Sequence, residues 1–255
     1  MTDRTTLVCL PFAGAGASFY RPWQRVAEPL GLDVLPLQLP GRERLIDEEP
    51  YRDASVAADG LLTDLLAALG DAPAGDTAPG GTPGPHRVAL FGHSLGAVLA
   101  YELARRLAAT PGVTLVRLFA SGSPHPAEPR NRHATGLDDD AFLARVSEFA
   151  GYTDEALQDP EMRELILPTL RADVEMHESY LPADARPLPV PVTSLRGSSD
   201  TLVSQAEAEA WARTTDAGFR AVELDGGHMY LAESAPELLR VLAEDLDRAA
   251  EELCV

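Results

Sequence analysis

Apolar positions along the chain follow two alternating patterns. Short runs rich in Val and Leu and bounded by Gly or Pro lie at 6–10, 33–37, 87–91, 115–120, 191–196 and 219–224. Runs of that length and composition predict strands. Between them, 56–69, 97–108, 205–213 and 236–250 have the apolar periodicity of amphipathic helices. Strands alternating with helices predict an α/β protein, a mostly parallel central sheet flanked by helices on both faces. Right-handed crossovers would gather the strand C-termini, and the loops that leave them, along one edge, so function is sought there.

Two segments break the alternation. Residues 71–85 are dense in Pro and Gly with almost no apolar content, which predicts a surface loop. Residues 124–189 carry helical patterns and no strand-like run. Asp138, Asp139 and Asp140 suit a helix start. Phe142, Val146 and Phe149 then share one face, and Met162, Leu165, Ile166 and Leu170 share a face of a second helix. Roughly sixty residues is too long for an ordinary crossover. The segment therefore predicts an inserted helical lid over the strand ends, leaving 1–123 and 190–255 as the core. Thickening of the core is the plainer alternative. If the segment is a lid, Phe142, Val146, Phe149, Leu165 and Ile166 are the expected lining of a substrate channel.

The chain has 255 residues, 45% apolar and 24% charged, enough for a substantial core. Forty acidic residues against 21 basic ones, all arginine, give a formal charge of -19. That balance disfavours nucleic acid as a partner, because the phosphate backbone would be repelled. No apolar run approaches the ~18–20 residues needed to span a bilayer, and the N-terminus lacks a signal-peptide pattern. A cytoplasmic protein with no membrane partner is expected, and a monomer. Cys9 sits in an apolar run and should pack as a small hydrophobe, while Cys254 lies next to the end, so no disulfide framework is expected.

The sharpest chemical signal is Gly92-His93-Ser94-Leu95-Gly96, which follows a strand-like run and precedes a helical one. A G-x-S-x-G sequence in that context places a serine nucleophile on a tight turn, with small neighbours to make room. The Leu95 N–H, opening the next helix, would donate to an oxyanion. A serine hydroxyl needs a base, and in this architecture acid and then histidine follow on later loops. Of six histidines, His86 falls in the Pro/Gly-rich loop, His93 adjoins the nucleophile, and His125, His133 and His177 belong to the presumptive lid. His228, after the last strand and two glycines, is the expected base. Asp200 in the polar turn Gly197-Ser198-Ser199-Asp200 is the expected acid, with Asp225 its rival. The second oxyanion donor should come from the small-residue loop after the first strand, from Phe12 or Ala13, with Ala13 favoured. That loop lacks both nucleotide-binding glycine patterns, and no Cys/His cluster has metal-ligand spacing.

Four segments occur in a telling order: Cys9-Leu10-Pro11-Phe12-Ala13-Gly14, Leu39-Pro40-Gly41-Arg42-Glu43, Phe91-Gly92-His93-Ser94-Leu95-Gly96-Ala97 and Gly226-Gly227-His228. Together they resemble the type II thioesterases that accompany modular polyketide and nonribosomal peptide synthases, along essentially the whole chain. The departure at Gly14-Ala15, where many relatives carry two glycines, is mild. The resemblance implies an α/β-hydrolase fold with a helical lid and a Ser94–His228–Asp200 triad. It also implies no resident cofactor, an acyl-phosphopantetheine substrate on an acyl or peptidyl carrier protein, and an editing role that clears stalled or wrong acyl groups. A fatty-acid chain-terminating thioesterase, a general carboxylesterase and an inactive carrier-binding module are the alternatives. Arg42 either braces the active-site loop or forms a surface ion pair. Because acidic carrier proteins would be repelled at long range, docking would need a local arginine patch, with Arg130, Arg132 and Arg186 as candidates.

Overall fold

The computed structural model describes residues 4–71, 85–130, 133–150, 157 and 159–252. The expected loop at 71–85 falls almost wholly outside them, as does Cys254. In chain order the regular elements are β1 (Thr5–Leu10), a 3-10 helix (Ala17–Trp23) running into α1 (Gln24–Ala27), β2 (Leu32–Pro36), α2 (Ala54–Asp71), β3 (His86–His93), α3 (Leu95–Leu107) and β4 (Val113–Ser121). Then follow α4 (Asp139–Ala150), α5 (Pro160–Ser179), β5 (Val192–Gly197), α6 (Gln205–Glu209), β6 (Phe219–Leu224) and α7 (Ala235–Glu252). All six strands are parallel, in the order β2-β1-β3-β4-β5-β6.

Strand periodicity explains why helices cover both faces. On β1 and β3, Val8, Leu10, Val88 and Leu90 pack under α2 and α3. The alternating residues Leu7, Cys9, Ala89 and Phe91 pack against Tyr20, Trp23 and the apolar stripe of α7. Cys9 is fully buried among them and burial pushes its thiol up, as expected of a packing residue. Among the described residues no helix is long and apolar enough to cross a membrane.

The strand order also creates the crevice. After β1 the chain turns outward to β2, whereas after β3 it runs the other way to β4. Loops leaving β1 and β3 therefore diverge at adjacent strand ends, and a ligand space opens between them. Two expectations need correction here. His86 is the first residue of β3, its N–H donating to Gly112 O at 3.0 Å, so it is ladder and not loop. The single helix expected over 205–213 is α6, opened by a Ser204–Glu207 capping box and followed by a 3-10 segment. There Trp211 is buried and its indole N–H donates to Ser123 O, a demand for position that tightens the turn.

The segment between β4 and β5 folds as α4 and α5. Asp138 accepts from Ala141 N–H, and Asp159 accepts from Glu161 and Met162 N–H, so each helix starts on an aspartate cap. Phe142, Leu167, Leu170 and Val174 form a small apolar cluster joining the two.

Candidate active site

Ser94 sits between β3 and α3 at φ 54° and ψ −116°, a region that side-chain-bearing residues rarely adopt. Its neighbours explain how the turn survives. A Cβ on Gly92 would lie 1.9 Å from Gly96 O, and one on Gly96 would lie 2.5 Å from Leu10 O. The turn is pinned by Ser94 N–H donating to Ser121 O at 2.8 Å. Ser94 itself is half-buried. The Leu95 N–H opens α3 and has no acceptor in its own helix, so it combines a free donor with the positive end of the helix dipole.

His228 and Asp200 come together because two strand-end loops pack backbone on backbone. Ser198 N–H donates to Leu224 O and Ser199 N–H to Gly226 O. A Cβ on Gly197 would meet Gly227 O at 2.2 Å, and Gly226 takes φ +123°, so glycine is required on both sides. The result is His228 Nδ1 at 2.9 Å from Asp200 Oδ2, with the carboxylate buried. Asp200 Oδ1 also accepts from Leu202 and Val203 N–H. Burial works to raise the Asp200 carboxyl, but the His228 ring and the two amides outweigh it and hold it below the ordinary aspartate value. Asp225 is exposed at the end of β6.

Behind this pair, His93 turns inward, with Nδ1 2.8 Å from Ser121 Oγ, which in turn is 2.7 Å from Tyr230 Oη. Its ring lies 4.7 Å from that of His228. Burial, and then the proximity of His228 and His177, hold the His93 imidazole well below its ordinary value and therefore neutral.

The loop after β1 is braced from two directions. Gly14 N–H donates to Asp173 Oδ2 of α5, and Ala15 N–H to Phe12 O, with Gly14 at φ +78° in the turn. Those two amides are occupied, which leaves Phe12 and Ala13 as the loop's candidate oxyanion donors. Arg42 is buried and forms a bidentate pair with Asp173, Nη1 to Oδ2 at 2.6 Å and Nη2 to Oδ1 at 2.8 Å. Its Nη1 also donates to Ala15 O at 3.1 Å. Arg42 is thus a brace of the loop and not a surface ion pair. Asp173 carries no mark in the sequence around it, and its partner lies 131 residues away, beyond any local pattern.

These groups open on a cavity of about 750 Å³, lined by Phe12, Ala13, Ser94, Asp200 and His228 on the sheet side and by residues of α4 and α5 on the other. Val146 and Ile166 line it. Phe142 does not: its ring is spent in the cluster between α4 and α5, under the Arg171 guanidinium. Leu165 points outward and is 50% exposed, because the adjacent Ile166 takes the inward position. The Phe149 side chain lies outside the described residues. Arg130, expected on the surface, is 9% exposed and lines the cavity together with His177. Arg132 lies outside the described residues. Arg186 is exposed but paired with Asp184 at 2.7 Å, which cancels much of its field. His133 is exposed, and His125 is half-buried against Trp211.

A parallel sheet of this connectivity, with a serine on a strained strand-to-helix turn and an aspartate–histidine pair on later strand ends, defines an α/β-hydrolase fold of the serine hydrolase class. The thioesterase-domain family model matches residues 5–246, and the chain belongs to that family. It is 34% identical over 240 residues to thioesterase PikA5 of Streptomyces venezuelae, covering 94% of this chain and 80% of that protein. It is 31% identical over 243 residues to the gramicidin S biosynthesis protein GrsT of Aneurinibacillus migulanus, covering 94% and 88%. Among solved structures, the type II thioesterase BorB from the borrelidin biosynthetic cluster superposes with a TM-score of 0.76 at 33% identity, covering 96% of this chain and 92% of that one.

Proposed function

We propose that this thioesterase hydrolyses acyl groups from the phosphopantetheine thiol of acyl or peptidyl carrier proteins, clearing stalled or aberrant units from a polyketide or nonribosomal peptide synthase. The observation that carries the reading is the Ser94 turn facing the cavity that His228 and Asp200 also line. The family membership and the biosynthetic settings of the relatives supply the substrate class.

In the reaction, Ser94 Oγ attacks the thioester carbonyl while His228 takes its proton through Nε2, the ring nitrogen left free by the Asp200 contact. Asp200 fixes the tautomer and stabilises the imidazolium. The oxyanion is held by Leu95 N–H and by Ala13 N–H, whose loop the Arg42–Asp173 pair keeps in place. Collapse of the intermediate breaks the C–S bond, and the departing thiolate takes the proton from His228. Water, deprotonated by the same ring, then attacks the acyl-Ser94 ester and releases the carboxylic acid and the free serine. The α4–α5 segment acts as a lid over the acyl chain, and its helices part from the sheet side as the pantetheine arm enters and the acid leaves.

A panel of acyl-carrier-protein thioesters, matched pantetheine thioesters and oxygen esters tests this reading. Thioester turnover well above oxygen-ester turnover, faster on carrier protein than on the small thioester, is the expected result. Preference for oxygen esters would replace it with a general carboxylesterase.

A further inference from the structure

Beyond the catalytic groups, the cavity is lined by a cation that forms no ion pair among the described residues. Arg130 is nine-tenths buried and lines the cavity together with apolar side chains such as Val146, Ile166 and Val174 and the carboxylates Glu178 and Glu207. Its Nη1 donates to His125 O at 3.3 Å and Glu128 O at 3.0 Å, which fixes the guanidinium plane. Its Nε and Nη2 are buried and make no hydrogen bond. The Nε2 of His177, another cavity residue, is in the same condition.

A buried guanidinium with unfilled donors is costly to keep, because no carboxylate pairs with it to offset its lost hydration. Burial accordingly lowers Arg130's hold on its proton, with the charges of Tyr180, Glu128 and Glu207 opposing, yet an arginine stays charged. His177, pushed down to about 3 by burial and then by Arg130 and His228, is neutral and adds no second charge. The site therefore offers one cation with two unfilled N–H donors on a residue that lines the cavity.

Resting on the proposed thioesterase reading, we propose that Arg130, with His177 beside it, is a recognition point for an acceptor oxygen of the substrate. That oxygen is a carbonyl or carboxylate on the acyl chain or an amide carbonyl of the pantetheine arm. Where that oxygen lies on the acyl chain, oxygenated acyl thioesters are preferred over plain alkyl ones.

The test compares butanoyl, 3-oxobutanoyl and succinyl groups, each as pantetheine and as ethyl thioesters, on wild type, Arg130→Met and Arg130→Lys. If the oxygen lies on the acyl chain, Arg130→Met lowers the ratio of kcat/KM for oxygenated over plain acyl groups by about tenfold or more. The loss falls mainly on KM, and Arg130→Lys recovers part of it. If the oxygen lies on the arm, the loss is the same for all three acyl groups and confined to pantetheine thioesters. Thermal unfolding gives a readout independent of turnover: removing a costly buried cation should leave the midpoint of Arg130→Met unchanged or raised. Unaltered ratios on both thiol arms overturn the inference while leaving the thioesterase reading intact. An equal loss on every substrate with a lowered midpoint assigns Arg130 a structural role and also overturns it. No turnover of any thioester by the wild type would defeat the thioesterase reading itself, and this inference with it.

Discussion

On the sheet side of the cavity, each chemical group is held by main chain: Ser94 by a turn that two glycines permit, and Asp200 and His228 by loops locked backbone to backbone. On the α4–α5 side the wall is mostly apolar side chain, joined by Ser147 and Glu178 and by an arginine and a histidine with unfilled ring or guanidinium nitrogens. One side is rigid and complete apart from substrate, and the other is shaped by side-chain packing and can be re-cut. The contrast teaches that changes to the first side should alter rate for every substrate, while changes to the second should alter which substrate is preferred. The Arg42–Asp173 pair ties the two together, since it holds the β1 loop to α5.

The largest expected effect lies on the sheet side. Asp200→Asn should lower kcat by about 10³–10⁴, because the amide favours the wrong His228 tautomer. Asp225→Asn, at an exposed position, should leave steady-state kinetics unchanged. A reversal of these two results would move the acid to Asp225.

Next comes the tie. Arg42→Met leaves the Asp173 carboxylate buried without its partner and should cost about 3–5 kcal/mol in urea unfolding. The double change Arg42→Met/Asp173→Leu should recover part of that loss. Additive losses in the double variant would show that the two residues act independently.

A smaller effect is expected from pH. His93 and His177 are held neutral in the folded protein but take up protons near pH 6.5 when unfolded. The unfolded state therefore binds more protons as pH falls through that value, and stability declines with it. Asp200, held below its ordinary value, contributes stability above about pH 3.9 that is lost as pH falls further. Denaturation midpoints should fall from pH 7 to pH 4, and His177→Leu should flatten the slope. A steeper slope in that variant would contradict the assignment.

The smallest effect belongs to the helical side. Ile166→Ala should change the ratio of long-chain to acetyl turnover by about tenfold, through lost apolar contact. Leu165→Ala, on the outer surface, should leave that ratio within about twofold. Equal effects of Ile166→Ala on all chain lengths would make α4–α5 a thickened core and not a lid.

How far each side could be read from sequence follows the same division. Strand alternation, the G-x-S-x-G turn and the two glycines before His228 are local signals, and they led to a mostly parallel sheet and to the residues that the fold brings together. The helical side depends on contacts between distant residues. Phe142 and Leu165 have the periodicity of a lining face, but helical periodicity does not distinguish a face turned to a cavity from one turned to a neighbouring helix or to solvent. Arg130 reads as one more surface arginine until His125 and Glu128 carbonyls are seen to hold it inside. The role of Arg42 was open in sequence because its partner, Asp173, carries no local mark.

The central claim is that turnover passes through an ester on Ser94. Rapid quenching of an acyl-pantetheine reaction, followed by peptide mass spectrometry and parallel assay of thiol and acid, tests it most directly. The account predicts a burst of thiol ahead of acid and a mass increment equal to the acyl group on the Ser94 peptide alone, both absent in Ser94→Ala. Simultaneous release of thiol and acid with no labelled peptide, or near-normal turnover by Ser94→Ala, would contradict it.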